Sequence, residues 1–245
     1  MRFGTAAVAF ARKIGILRHR DNVASEKGNK QYMATTSDSL AQRIETIHEG
    51  VDGWCTTHKA TILYNLAREE GIELGLEIGI FAGKSFFPVC LAFKEKAKGK
   101  HYGVEPWSNA IAVETATNAI NDEWWSKLDM LQIKKQFFRN LAKFDFTEFA
   151  AIIETPSDSA YALFSTFRYY KKIDILHIDG SHSTPEALHD VTNWTKLVRP
   201  GGYVILDDIN WPSVGLAYEY LKTLGSETHR SFSEGDGFFS VVKLR

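Results

Sequence analysis

The chain of 245 residues has little cysteine and methionine, two and three respectively. Cys55 and Cys90 build no disulfide framework and have no metal-ligand spacing, so reduced thiols in a cytoplasmic protein are expected. No apolar run approaches the length that crosses a bilayer. The opening MRFGTAAVAFARKIG has some character of an export signal, but its apolar part is short and is broken by Arg12 and Lys13. A soluble protein away from membranes is the expectation. An excess of either charge is missing too, with 29 Lys and Arg against 30 Asp and Glu, which gives no electrostatic reason to expect nucleic acid. Internal repeats and low-complexity segments are absent. What remains is ordinary globular composition, 44% hydrophobic and 24% charged, in a length that suits one α/β domain.

The most informative stretch runs from Ile173 to Ile209. Two short apolar runs, Ile173–Ile178 and Tyr203–Leu206, stop at acids: Asp179 after the first, Asp207 and Asp208 after the second. Short runs rich in Ile and Val and bounded by Gly and Pro read as buried strands. Between them Pro185 suits a first helical turn, and Ala187, Leu188, Val191, Trp194 and Leu197 recur at helical spacing. Pro200-Gly201-Gly202 is expected to stop that helix and turn the chain. Strand, helix and strand with short links imply parallel strands, so the acids converge on one sheet edge, where open α/β sheets bind ligands. Clustered carboxylates repel unless a cation sits among them, and an all-oxygen donor set favours Mg²⁺. The alternative is that these acids cap helices or are solvated. His182, one tight turn after Asp179, is placed either to face whatever an ion holds or to bond a backbone carbonyl. His177 and His189 read as structural.

Residues 1–37 are poorly patterned and read as an arm or a lid, with one domain over 38–245. A helix begins at Asp38 or Ser39 and carries Leu40, Ile44 and Ile47; a second follows Thr56 or Thr57 and carries Ile62, Leu63 and Leu66 until Gly71. In LEIGIFAGKS, a strand end at Leu76–Ile78 leads into a turn from Gly79 to Gly83 whose glycines permit close backbone approach to a ligand. The spacing is not that of a dinucleotide fingerprint. Glu105 ends the next strand, where an acid suits two ribose hydroxyls. Ser157 and Asp158, after a strand over Phe149–Glu154, either reach an adenine or cap a helix. The segment 107–147 is longer than a plain crossover and reads as a two-helix insertion. Its Trp124-Trp125 pair forms either an acceptor wall or a core and surface cover. The tail alternates around Gly235-Asp236-Gly237 as a terminal hairpin.

Taken together, LEIGIFAGKS, GVEPW, HIDGSH and GGYVILDDI resemble the class I S-adenosylmethionine (SAM) methyltransferases, in particular the metal-dependent O-methyltransferases of the catechol and macrocin types. The resemblance runs from about Glu77 to the C-terminus. It implies a Rossmann-like, mainly parallel seven-stranded sheet with a C-terminal antiparallel hairpin. It also implies that Gly79, Gly83 and Ser85 hold the methionine part of SAM with Glu77 nearby, that Glu105 holds the ribose, and that Ser157 and Asp158 line the adenine. Asp179, Asp207 and Asp208 map to the metal acids, with Asp179 also beside the cofactor, and His182 maps to the general base. Catechol enzymes have Lys at that position and an Asp-Asn metal pair. His182 and two acids therefore shift the expected acceptor toward a sugar or natural-product hydroxyl.

Methyl transfer from a sulfonium needs an acceptor oxygen that is placed and deprotonated, which a divalent ion and an imidazole can arrange. Two rival functions are a nicotinamide-dependent oxidoreductase and a SAM-binding protein without activity. The glycine spacing argues against the first. His182 and the three acids argue against the second, since holding SAM needs none of Asp207, Asp208 or His182. A small-molecule acceptor is the expected partner, and either a monomer or a homo-oligomer is compatible with these patterns.

Overall fold

A computed structural model of the protein describes residues 39–114, 119–166 and 169–245. The arm or lid expected over 1–37 lies outside the described residues. Seven strands form one sheet: β1 (Leu74–Ile78), β2 (Lys100–Val104), β3 (Ala150–Ile153), β4 (Ile173–Ile178), β5 (Val198–Asp207), β6 (Gly225–Ser233) and β7 (Gly237–Leu244), in the order β3-β2-β1-β4-β5-β7-β6. β1 to β5 pair in parallel, and β7 runs antiparallel to both β5 and β6. The expected mixed α/β architecture, with its terminal antiparallel hairpin, is the one observed. Strand order reverses at β1 and β4, so the crossovers on its two sides leave a crevice at the carboxyl ends of those strands.

Helices α1 (Leu40–His48) and α2 (Thr57–Arg68) precede the sheet. Ser39 starts α1 with a reciprocal cap: its Oγ accepts from Gln42 N at 3.3 Å while Gln42 Oε1 accepts from Ser39 N at 2.8 Å. Thr56 caps α2, its Oγ1 accepting from Lys59 N at 3.1 Å. Helix α3 (Phe86–Lys96) follows the glycine turn. Among its described residues the insertion holds α4 (Asn109–Ala112), α5 (Ala119–Lys127) and α6 (Met130–Lys143), three helices where two are expected. The remaining helices are α7 (Ser157–Phe164), α8 (Thr184–Trp194), continued by a 3₁₀ turn over Thr195–Leu197, and α9 (Gly215–Leu224).

Pro200-Gly201-Gly202 differs from expectation. The helix has already ended, and these residues lie inside β5, where the pairing with β4 shifts register between Ile173 and Ile175. Gly201, at φ +77°, supplies the left-handed residue that such a bulge uses. All six residues of β4 are buried, so its apolar side chains do not alternate with exposed ones, and its two polar members are partnered: Asp174 accepts from Glu73 N and Leu74 N at 2.8 Å, and His177 Nδ1 lies 3.3 Å from Glu77 Oε2. Leu176 and Ile178 pack with Val191, Trp194 and Leu221 on one face; Ile175 packs with Ile44, Leu63, Phe93 and Phe239 on the other. Each large side chain buried in this way contributes about 1.5–3 kcal/mol. Among the described residues no helix is long and apolar enough to cross a membrane.

Candidate active site

The sheet brings the ends of β1, β4 and β5 together. Gly79 N donates to Val104 O at 2.9 Å and Asp179 N donates to Ile78 O at 2.9 Å, so pairing continues one residue past each strand. Gly79 adopts φ +82°, and a Cβ there would stand 2.0 Å from the Asp179 carbonyl oxygen. Only glycine lets the first loop cross the end of β4 this closely. Above this crossing opens a cleft of about 540 Å³, lined among others by Trp54, Gly79, Glu105, Ser157, Asp179 and His182.

At one end stand the acids. Asp207 ends β5, and Asp208 follows it at φ +52°, a left-handed conformation. Such a residue costs on the order of 1–3 kcal/mol and persists only where its surroundings hold it. His182 Nε2 lies 2.7 Å from Asp208 Oδ2, and His182 Nδ1 lies 3.4 Å from Glu114 Oε1. Glu114 also accepts from the His182 backbone N–H. Lys59, at 2% exposure, donates from Nζ to Asp207 Oδ2 and lies 3.6 Å from Asp179 Oδ2.

The charges respond to this packing. Burial and the neighbouring Asp207 push the Asp179 carboxyl well above the usual range, against the pull of Lys59. For Asp207 burial acts in the same upward direction, but Lys59 beside it wins and keeps it ionised. Burial would lower His182, yet its hydrogen bonds to Asp208 and Glu114 raise it well above an ordinary imidazole, so the ring rests protonated. Donor atoms of Asp179, His182 and Asp208 all lie within 4.8 Å of one another, as do those of His177, Asp179 and Asp207. This oxygen-rich set fits a hard divalent ion. Lys59 already supplies one positive charge there.

At the other end, Glu105 accepts from Phe81 N at 3.0 Å and from Trp107 N at 2.8 Å, one backbone donor on each oxygen. Burial nevertheless raises its pKa. A carboxylate pinned at the edge of a cleft fits a diol, since each oxygen keeps a lone pair. Ser157 Oγ donates to Asp190 Oδ1 at 2.7 Å, and Asp158 lies 2.9 Å from His189 Nδ1. Burial lifts the Asp190 carboxyl to about 6.

The remaining residues expected at the cofactor sit one layer down. Ser85 Oγ donates to Glu77, and both are buried. His101 Nε2 and His177 Nδ1 each lie 3.3 Å from Glu77 Oε2. Burial opposes ionisation of Glu77, but the His177 and His101 rings hold it down at about 2. A Cβ on Gly83 would meet the Phe87 ring at 2.6 Å, so this glycine makes room for packing between helices. Trp124 and Trp125 are both half-buried, so neither is core: with Trp54 and Phe81 they form an aromatic cluster with centroids 4.9–6.0 Å apart. Trp54, Phe81 and Trp125 present it to the cleft.

Sequence reasoning passes over Lys59, Glu114 and Asp190. A signal exists for two of them. Lys59 shares a helical face with Leu63 and Ala67, and Asp190 shares one with Ala187, Val191 and Trp194, all buried. A charged residue on an apolar stripe must be paired or line a cavity. Glu114 follows no such pattern.

A family model described as a methyltransferase domain matches residues 76–209. No curated protein matches the chain. Among solved structures, the O-methyltransferase TomG from Streptomyces achromogenes, involved in tomaymycin synthesis and determined with SAM, is 16% identical. It superimposes with a TM-score of 0.57 over 86% of this chain and 92% of that one. The O-methyltransferase from Bacillus cereus, in complex with SAH, is 14% identical, with a TM-score of 0.58 over 86% and 93%. The O-methyltransferase NovP is also 14% identical, with a TM-score of 0.58 over 82% and 88%. At these identities the likeness is one of fold.

Proposed function

The chain belongs to the methyltransferase domain family, whose model covers residues 76–209, and from this we propose that it transfers a methyl group from SAM to a hydroxyl of a small polar acceptor in a Mg²⁺-dependent reaction. The observation that carries the reading is one cleft with a pinned carboxylate, Glu105, at one end and a carboxylate cluster with His182 at the other. When bound, SAM supplies an electrophilic methyl group and Mg²⁺ an orienting charge that acidifies neighbouring hydroxyls. Glu105 holds the ribose diol through the lone pairs left by Phe81 N and Trp107 N. Ser157, Asp158 and Asp190 border the adenine end, while Gly79 and Phe81 form the floor under the methionine part. Glu77, Ser85 and Gly83 support that floor from below.

Asp179, Asp207 and Asp208 hold the ion. His182 takes the acceptor proton at a ring nitrogen after the proton it carries at rest has passed to solvent. Positive charge placed among the carboxylates weakens the pull that keeps the ring protonated. Trp54, Phe81 and Trp125 exclude water and offer flat apolar surface to the ring of a sugar or natural product.

The reading is tested with labelled SAM and a panel of sugars, nucleotide sugars and polyphenols, with and without chelator. Transfer should require Mg²⁺, and SAM should bind while NADH does not. His182→Ala should lower kcat by about 10²–10⁴-fold with SAM affinity unchanged. Binding of NADH without SAM, or full turnover after chelation, overturns it.

A further inference from the structure

Lys59 is a charged residue on the buried, apolar face of α2, where it must be paired. Its side chain is 3% exposed, starts from the first turn of α2, and pairs with carboxylates from two different strand ends, Asp207 and Asp179. The backbone that carries it is fixed, since Lys59 N donates to Thr56 Oγ1 at 3.1 Å and Thr56 Oγ1 donates to Asp236 O at 2.9 Å. The Phe239 ring closes the other side, its centroid 5.9 Å from Nζ. A buried cation of this kind persists only while its partners stay charged and near. We propose that Lys59 is a positioning residue that acts as a built-in counter-ion. It holds Asp207 and Asp179 in place and competes with a divalent cation for their charge, so that the cluster takes its ion weakly and exchangeably.

The inference rests on the metal reading of Asp179, Asp207 and Asp208. With the ammonium present, these carboxylates are balanced by one divalent ion and a fixed charge; without it they carry a surplus that draws the ion harder. A purely structural lysine predicts the reverse, because losing it would loosen the carboxylates and weaken the ion.

The test is Mn²⁺ binding, by calorimetry and electron paramagnetic resonance, to the full chain in wild type, Lys59→Met, Lys59→Gln and Lys59→Arg. Lys59→Met should melt lower than wild type in chelator, bind Mn²⁺ at least tenfold more tightly, and gain more Tm from it than wild type does. Lys59→Arg should keep the wild-type affinity. Lys59→Gln, which keeps a donor toward Asp207 without the charge, gives the same reading if Lys59→Met does not fold. Affinity equal to or weaker than wild type in the neutral variants overturns the inference and leaves the metal reading standing. Mn²⁺ binding to none of the four proteins overturns both. Failure of both neutral variants to fold even with Mn²⁺ present also overturns the inference, since the ion should replace the missing charge.

Discussion

Asp190 shows how a single side chain can oppose the stability of the fold that holds it. It is 3% exposed, and burial lifts its carboxyl from 3.8 to about 6, with the nearby charges of Asp158 and Glu186 adding to the rise and Ser157 and His189 opposing it. A folded-state pKa raised above the unfolded value contributes stability below the unfolded pKa, and that stability is lost as pH rises through the folded one. The window here is about pH 4 to 6. Above it, the native protein carries a buried charge that costs on the order of 3 kcal/mol relative to acid conditions. Asp190→Asn keeps an acceptor for Ser157 Oγ and removes the charge. Its Tm should exceed the wild-type value at pH 7.5 and converge with it near pH 4. A constant offset across that range would show that the shape of the side chain matters and its ionisation does not. The position of this acid on the apolar stripe of α8 explains why it was open to sequence reasoning and was still missed. Helical periodicity picks out the hydrophobic members of the stripe, and the polar one among them is the residue that lines the cleft.

The elements themselves were largely legible. β4 and β5 with their terminal acids, the caps of α1 and α2, and the terminal hairpin follow from short-range rules: apolar runs, capping side chains and turn residues. What was not legible depends on contacts between distant parts of the chain. Pro200-Gly201-Gly202 has the local chemistry of a turn, yet pairing with β4 draws it into β5 as a bulge. Glu114 reaches His182 across 68 residues of sequence, beyond any periodicity. Thr56 illustrates the same point at an element boundary. Its role as a cap is local, whereas its bond to Asp236 O, which ties α2 to the β6–β7 turn, is not. Thr56→Ala should therefore cost more than an isolated cap, toward the upper part of the roughly 0.5–2 kcal/mol range, measured by denaturant unfolding. Thr56→Ser, which retains both bonds, should recover most of it. Equal loss in both variants would assign the effect to the methyl group.

Across the molecule, one cleft joins two chemically separate ends, and this separation is what makes the assignment testable. The Glu105 carboxylate is positioned by backbone donors on the β1 loop and the β2 loop, Phe81 N and Trp107 N, and lies at the first half of the sheet. Asp207 is positioned by β5 and Lys59, in the second half. Glu105 is held by Phe81 N and Trp107 N and Asp207 by Lys59, with no shared partner among these, and effects at sites that share no partner add independently. Glu105→Ala should weaken SAM by a few kcal/mol, on the order of a lost pair of charge-assisted hydrogen bonds, and leave Mn²⁺ affinity unchanged. Asp207→Asn should do the opposite, reducing Mn²⁺ affinity while SAM binds as before. The double variant should show the sum of the two losses. A single substitution that lowers both affinities would mean that the ends are energetically coupled, through the close crossing of the loops after β1 and β4 at Gly79 and the Asp179 carbonyl.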